Sequence, residues 1–315
     1  GCFYEDGTNS NVYFAYADDE TGTGTWTLYP VDTSGSVGSW LSAGVIGGCP
    51  AAVYVDDDAG IVCAICSTPD GSGTWNVSDV DVNGVYDPSI AEIDGYPAVA
   101  YEGPSESLWY SRNSAIDGSG TWTSYEVESA SGAYYTSIVE LPNGFPGIFY
   151  NAYNSDEVHF ATCDAYDGSG TWTTSSVFWS DTYPSTSCAI VDGRPAVACV
   201  DTNYYPYFVI NSAADGSGTW NDYQIADFNT DWSYLSLAVL GGTPSLIFHN
   251  DYVGGIYLAQ STLTTGEGGW SYWPILGNEH VGSNHALGWV NNKPACVFYH
   301  YDDLWVGFAT PSTWP

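Results

Sequence analysis

The sequence predicts an all-β chain, a seven-bladed β-propeller of four-stranded antiparallel blades, and three observations carry that reading. A tryptophan closes a glycine-rich turn about every 48 residues. The segments between these turns are strand-length and apolar, bounded by Asp-Gly, Asn-Gly and Pro signals. No stretch has the 3.6-residue periodicity of an amphipathic helix.

The repeat fixes the order of elements. Asp-Gly-Ser-Gly-Thr-Trp stands at 70–75, 117–122, 167–172 and 215–220, with looser copies ending at Trp26 and Trp270. These tryptophans are 49, 47, 50, 48 and 50 residues apart, and Trp314 follows at 44. Within the unit 87–127, strand a is expected at 89–93, b at 98–102, c at 108–112 and d at 121–127. Asp94-Gly95 between a and b is a two-residue hairpin signal, and Pro97 marks the start of b.

Strand b recurs at 50–56, 146–152, 195–201, 244–250 and 294–300. The predicted organisation is one domain over 1–315: a partial first blade at about 1–31, blades two to six over about 39–275, and a partial seventh at about 284–315. The first lacks strand a and the last most of strand d. Three explanations stay open: the chain is a processed or partial product, a neighbouring subunit supplies the missing strands, or b rather than a is innermost.

The turn explains itself chemically. Asp70, Asp117, Asp167 and Asp215 are positioned to accept backbone N–H bonds, the glycines to adopt left-handed conformations, and Trp75, Trp122, Trp172 and Trp220 to pack between sheets. A role needed once per blade is structural. These turns resemble the Asp box of sialidase-type, BNR-like propellers, with Ser119 where that pattern has glycine, and the strand pattern is similar to uncharacterised bacterial repeat propellers of that group. The resemblance implies a propeller. Sialidase activity in that family uses three arginines on the substrate carboxylate, and only Arg112 and Arg194 exist here.

Composition narrows the partners. The chain has 37 Asp and Glu against 3 Lys and Arg, a net charge of −34, through missing bases rather than added acids. Such a surface repels nucleic acid and anionic membranes and attracts cations. Eight cysteines are an even number, compatible with disulfides of unassigned pairing, and Asn76-Val77-Ser78 is a glycosylation sequon; both favour an extracellular home. Cys63 and Cys66 fall on opposite faces of one strand, which argues against a redox or zinc CxxC.

If strands alternate in direction, the b–c loops and d–a connections share one face, where ligands are expected. The candidate ligand-binding residues there are Tyr54, Asp56, Asp58, Tyr101, Glu102, Tyr150, Asp201, Tyr204, His249, Asp251, His300, Asp302, Trp179 and Trp232. The d–a connections add Asp181, Tyr183, Asp231, Glu279, His280 and His285. Aromatic faces stack on sugar C–H groups while carboxylates bind hydroxyls, and Asp56, Asp57 and Asp58 are the candidate Ca²⁺ ligands. Acidic loops also arise as plain solvated turns.

Three functions fit. The leading one is a secreted non-catalytic propeller, binding glycans or serving as an adhesive or structural extracellular subunit, because similar loops in every blade favour multivalency. The second is a hydrolase or lyase acting on a neutral polysaccharide. The third is a filament or sheath subunit, a homo-oligomer assembled by strand exchange at the unclosed blades.

Overall fold

Each b strand is apolar at successive positions, as in "PAAVYVD", and so has two faces to bury rather than one. The computed structural model describes residues 1–19, 22–180, 185–250, 255–277, 281–290, 293–300 and 303–308; Trp314 lies outside them. Seven antiparallel sheets follow one another along the chain, with no α-helix among the described residues.

The first sheet holds β1 (Cys2–Asp6), β2 (Asn11–Ala17) and β3 (Trp26–Asp32). The second holds β4 (Val37–Ile46), β5 (Cys49–Asp56), β6 (Gly60–Cys66) and β7 (Trp75–Asp81). The third holds β8 (Tyr86–Ile93), β9 (Tyr96–Gly103), β10 (Ser107–Asn113) and β11 (Trp122–Glu128). The fourth holds β12 (Ala133–Glu140), β13 (Pro146–Ala152), β14 (Glu157–Cys163) and β15 (Trp172–Trp179).

The fifth holds β16 (Ser187–Val191), β17 (Arg194–Val200), β18 (Pro206–Asn211) and β19 (Trp220–Gln224). The sixth holds β20 (Thr230–Leu240), β21 (Thr243–Asn250), β22 (Gly255–Ser261) and β23 (Trp270–Gly277). The seventh holds β24 (Val281–Val290), β25 (Lys293–His300) and β26 (Asp303–Phe308). Five four-stranded sheets between two of three strands make a propeller-like succession. The chain divides into two compact units, the first mainly residues 1–175 and the second mainly 176–315.

The core of each unit is a series of slabs between consecutive sheets. Ile46, Val53 and Ile65 of the second sheet meet Ile90, Val99 and Tyr101 of the third. In the second unit Phe208 and Ile210 of the fifth sheet meet Leu246 and Phe248 of the sixth. Each side chain of this size contributes roughly 1.5–3 kcal/mol on burial. Strand d, rich in Thr and Ser, leaves much of its surface in solvent, as the pattern of β15 shows.

The a–b turns carry left-handed backbone at both central residues, φ +50° and +77° at Asp94-Gly95 and +50° and +70° at Asp192-Gly193. That is the twist that two-residue hairpins need. The strand a that was expected at 89–93 begins earlier, at Tyr86, because its register slips between Tyr86 and Ser89 in pairing with β9. The same slip falls between Ser39 and Ser42 in β4 and between Tyr134 and Ser137 in β12. These bulges break strict alternation, which is why a short window stopped at them.

Each box is closed by its own hydrogen bonds and by the sheet before it. Asp117 Oδ1 accepts from Ser119 N at 3.1 Å and Ser119 Oγ at 2.6 Å, and Asp70, Asp167 and Asp215 repeat the pair. Four residues before the Asp, the buried Asn113 Oδ1 accepts from Ala115 N and Gly120 N at 2.9 and 3.0 Å, and Asn211 does the same in the fifth sheet. Cys163 occupies the equivalent position, with the Ala165 and Gly170 N–H groups directed at its sulfur. Cys66 does so as well, against Thr68 Oγ1 at 3.8 Å. These two cysteines, with the buried Cys63 and Cys199, are thiols rather than half-cystines; burial pushes Cys63 up to about 12.

The glycine after Asp70, Asp117 and Asp167 lies against a residue of the preceding sheet, and so does Gly266, after Thr265, in the looser copy. A Cβ on Gly71 would sit 2.3 Å from the Phe14 ring, on Gly168 2.5 Å from Tyr110, and on Gly266 2.4 Å from Phe208. A second staple crosses the same slabs in the first unit. The b-strand Tyr54 hydroxyl donates to Asp32 Oδ2 at 2.8 Å and Tyr101 to Asp81 Oδ2 at 2.6 Å, while Tyr150 donates to Glu128. In the sixth sheet the equivalent residue is Phe248, and a ring contact with Phe228 replaces the hydrogen bond.

Gly168→Ala combines strain at φ +82° with the ring clash. It is expected to lower stability by about 2–4 kcal/mol. Gly144→Ala, at φ +83° with open space beyond, should lose only about 1–2 kcal/mol in urea unfolding. Tyr101→Phe leaves Asp81 without its buried donor and should lower the same unfolding free energy by about 1–3 kcal/mol.

Candidate functional site

In β4, β8 and β12 the bulges put one non-glycine residue into left-handed backbone: Trp40 at φ +55°, Asp87 at +50° and Tyr135 at +51°. Each costs about 1–2 kcal/mol, and such strain concentrates at functional positions. Strands β4, β8 and β12 pack side by side, so these three residues gather at one place in the first unit. The Trp40 indole meets the Tyr86 ring at 6.0 Å and the Tyr135 ring at 6.2 Å, both edge to face. Trp40 and Tyr86 are 44% and 45% exposed, although large aromatics are normally covered.

Two acids belong to the same segment: Asp87 follows Tyr86, and Glu102 pairs with Tyr86 across the sheet. Asp87 is buried, and its Oδ2 accepts from Tyr135 N at 2.9 Å. Thr136 Oγ1 ties the same segment down through the Asp87 and Ala100 carbonyls and through Ser89 Oγ at 3.0 Å. Glu102 pairs across the sheet with Tyr86 and is 4% exposed. Its Oε2 has no hydrogen-bond partner among the described residues, and neither does the buried Ser131 Oγ, just before β12. Burial, then the charges of Asp87 and Glu106, pushes Glu102 up to about 8, and burial pushes Asp87 up to about 6 against the Tyr135 N–H. Two neighbouring acids with values pushed apart, beside exposed rings, form a site able to donate and accept with sugar hydroxyls.

The expected ligand residues divide sharply. Glu102 belongs to this cluster. Tyr54, Tyr101 and Tyr150 do not: they are fully buried with their hydroxyls bound to carboxylates, so they are staples rather than sugar platforms. Continuous apolar runs bury both faces of strand b, a consequence the exposed-loop reading overlooked. Asp56 and Asp201 cap their own turns, onto Asp58 N and Ala59 N in one case and Asn203 N and Tyr205 N in the other. Asp57 and Asp58 are exposed, and no group of three His, Cys, Asp or Glu side chains converges among the described residues.

Tyr204 is half-buried at φ +62°, and its carbonyl accepts from Thr230. His249 is half-buried in β21, and Trp179 stands 62% exposed at the end of β15. Asp181, Tyr183, Asp251, Glu279, His280 and Asp302 lie outside the described residues. Asp231, Trp232, His285 and His300 are placed by backbone only, in β20, β24 and β25. Asn76 Nδ2 donates to Asp117 O at 2.9 Å, which engages one of the two N–H groups of the sequon amide. Both arginines are engaged, Arg112 stacked 4.2 Å over Tyr96 and Arg194 paired with Glu267 at 3.1 Å.

Sequence reasoning missed Trp40, Tyr86, Asp87 and Tyr135. The signal was present: aromatic or acidic residues at spacings of 47 and 48, each just ahead of the expected strand a. Glu102 also yields a test in pH. Its folded value lies above the ordinary 4.5, so between about pH 4.5 and 8 the folded state holds a proton that the unfolded chain has lost, and stability falls as pH rises. Glu102→Gln removes that slope; relative to the parent it should gain stability at pH 8 and not at pH 5, read as melting temperatures.

No protein-family model and no curated protein matches this chain. Solved structures do match, at fold level. A protein of unknown function from Dyadobacter fermentans aligns with a TM-score of 0.60 and 12% identity, over 95% of this chain and 96% of that one. The SapL1 lectin, solved in complex with alpha methyl fucoside, aligns at 0.56 and 18% over 85% of this chain and 95% of that one. The Hadza microbial sialidase Hz136 aligns at 0.57 and 12% over 88% of this chain and 66% of that one. Their identities are low, and the likeness is one of fold, a propeller-like succession of sheets shared by a lectin and a sialidase.

Proposed function

We propose that this chain is an extracellular, non-catalytic glycan-binding module, and that the cluster of Trp40, Tyr86, Asp87, Glu102 and Tyr135, drawn from the second, third and fourth sheets, is its binding site. One observation carries the reading: exposed Trp40 and Tyr86, with Tyr135, beside the buried Asp87–Glu102 pair. Rings of this kind stack on sugar C–H faces, and a pair of acids, one protonated and one ionised near neutral pH, offers hydroxyls both a donor and acceptors. The fold-level likeness to a lectin supports the class of function and says nothing of the sugar. The −34 charge and the engagement of both arginines oppose a sugar carboxylate as ligand.

A second reading rests on the same acids. Carboxyls with values of about 6 and about 8 are what a hydrolase needs for an ionised group and a proton donor. Release of reducing ends from a polysaccharide, abolished by Asp87→Asn, would favour it over binding.

On an array of oligosaccharides the parent is expected to retain a defined subset with and without calcium. Trp40→Ala should weaken that retention at least tenfold while leaving the melting temperature within about 2 °C, since the indole is nearly half exposed. Retention unchanged by Trp40→Ala would place sugar binding elsewhere.

A further inference from the structure

The −34 charge, the paired acids and the exposed rings have one feature in common: each is complementary to a cation. Glu102 keeps a buried carboxyl oxygen without a partner among the described residues, while Asp87 beside it has an N–H from Tyr135. Elsewhere in the first unit, carboxylates facing a slab are bonded, Asp32 to Tyr54 and Asp81 to Tyr101. The orphaned oxygen therefore stands out among the buried carboxylates of the described residues. Neither arginine answers it, since Arg112 lies on Tyr96 beside Asp94 and Arg194 lies between Asp192 and Glu267.

We infer that the ligand of this cluster is a deacetylated amino sugar, whose ammonium group binds Asp87 and Glu102 while its ring lies against Trp40 and Tyr86. This rests on the glycan-binding reading and names the sugar class within it. An ammonium supplies three N–H donors, enough for the free Glu102 oxygen and for Asp87 together. Its charge lets both acids ionise side by side, which an uncharged hydroxyl does not. Indole and phenol faces add cation–π attraction, strongest for tryptophan. The field of the whole chain raises the local concentration of such a ligand and lowers that of sialic or uronic acids. An N-acetylated sugar has no charge to offer and one N–H donor in place of three.

The probes are a glucosamine tetramer, its N-acetylated counterpart and a lysine tetramer, titrated calorimetrically into the parent chain at pH 6.5 and about 0.15 M salt, where surface charge is screened beyond roughly 8 Å. The expected result is binding of the glucosamine tetramer at least tenfold tighter than either other probe, with a tenfold or greater loss in both Glu102→Gln and Trp40→Ala. Melting temperatures at the same pH confirm that the variants are folded, and Asp87→Asn serves as a second acid variant should Glu102→Gln fail to fold. Equal binding of the lysine tetramer, or glucosamine binding that survives both variants, means diffuse surface charge and overturns the inference. Equal or tighter binding of the N-acetylated tetramer, lost in Trp40→Ala, overturns it while the glycan reading stands. Failure of both sugar probes and of the neutral array sinks the two together.

Discussion

A missing Cβ sets the spacing of this molecule. At the second position of each box, glycine takes φ near +80°, and the ring or aliphatic group of the preceding sheet rests on its bare Cα, Phe14 on Gly71 and Tyr110 on Gly168. The turn can keep that glycine in place only because Asp, Ser and the buried Asn or Cys four residues earlier close its backbone bonds internally. The Trp that follows then meets the same ring, as Trp172 meets Tyr110 at 5.2 Å. Sheet-to-sheet distance, and with it the slab cores and the placement of strand a, follows from this contact.

Part of the acidity is explained by such architecture. Asp70, Asp117, Asp167 and Asp215 close turns, and hydrogen bonds hold them below the usual carboxylate range. Asp32, Asp81 and Glu128 receive buried tyrosines of the next sheet. Glu140 accepts from Asp94 N at 2.8 Å, and Glu92 likewise caps the turn at Gly47. A carboxylate accepts several N–H or O–H bonds without a counter-ion, so a fold built on such caps needs acids and has little use for bases. Net charge is the by-product, and its effect on ligands is secondary to its structural origin.

How much was legible follows from periodicity. The box, the two-residue a–b hairpins and the apolar b strands repeat at nearly constant spacing, and among the described residues the antiparallel sheets recur at that spacing. The site was less legible because a bulge is a local exception to alternation. Trp40, Asp87 and Tyr135 sit where two residues face one on the partner strand, so they read as connection rather than strand. The tyrosines of strand b failed in the opposite sense. Their hydroxyls suggested a wet surface, whereas each reaches a single acid across a dry slab.

Equivalent positions also decide between one site and many. The residue of strand b equivalent to Glu102 is Glu5, Val55, Asn151, Val200 and His249 in the other five of the first six sheets, and the left-handed residue of strand a is Trp40, Asp87 and Tyr135 in the second to fourth. Of the second, third and fourth sheets, only the third has an acid at both. The even loop character that suggested multivalency is therefore a property of the turns, and the chemistry beneath them is not repeated. A scaffold that satisfies its polar groups by copying one solution around the chain has departed from it at Glu102, where an oxygen is left over and the rings beside it are left bare. Strain, desolvation and exposure, each unfavourable to folding, coincide there, and a ligand that relieves all three is the physical reason for a fold to keep them.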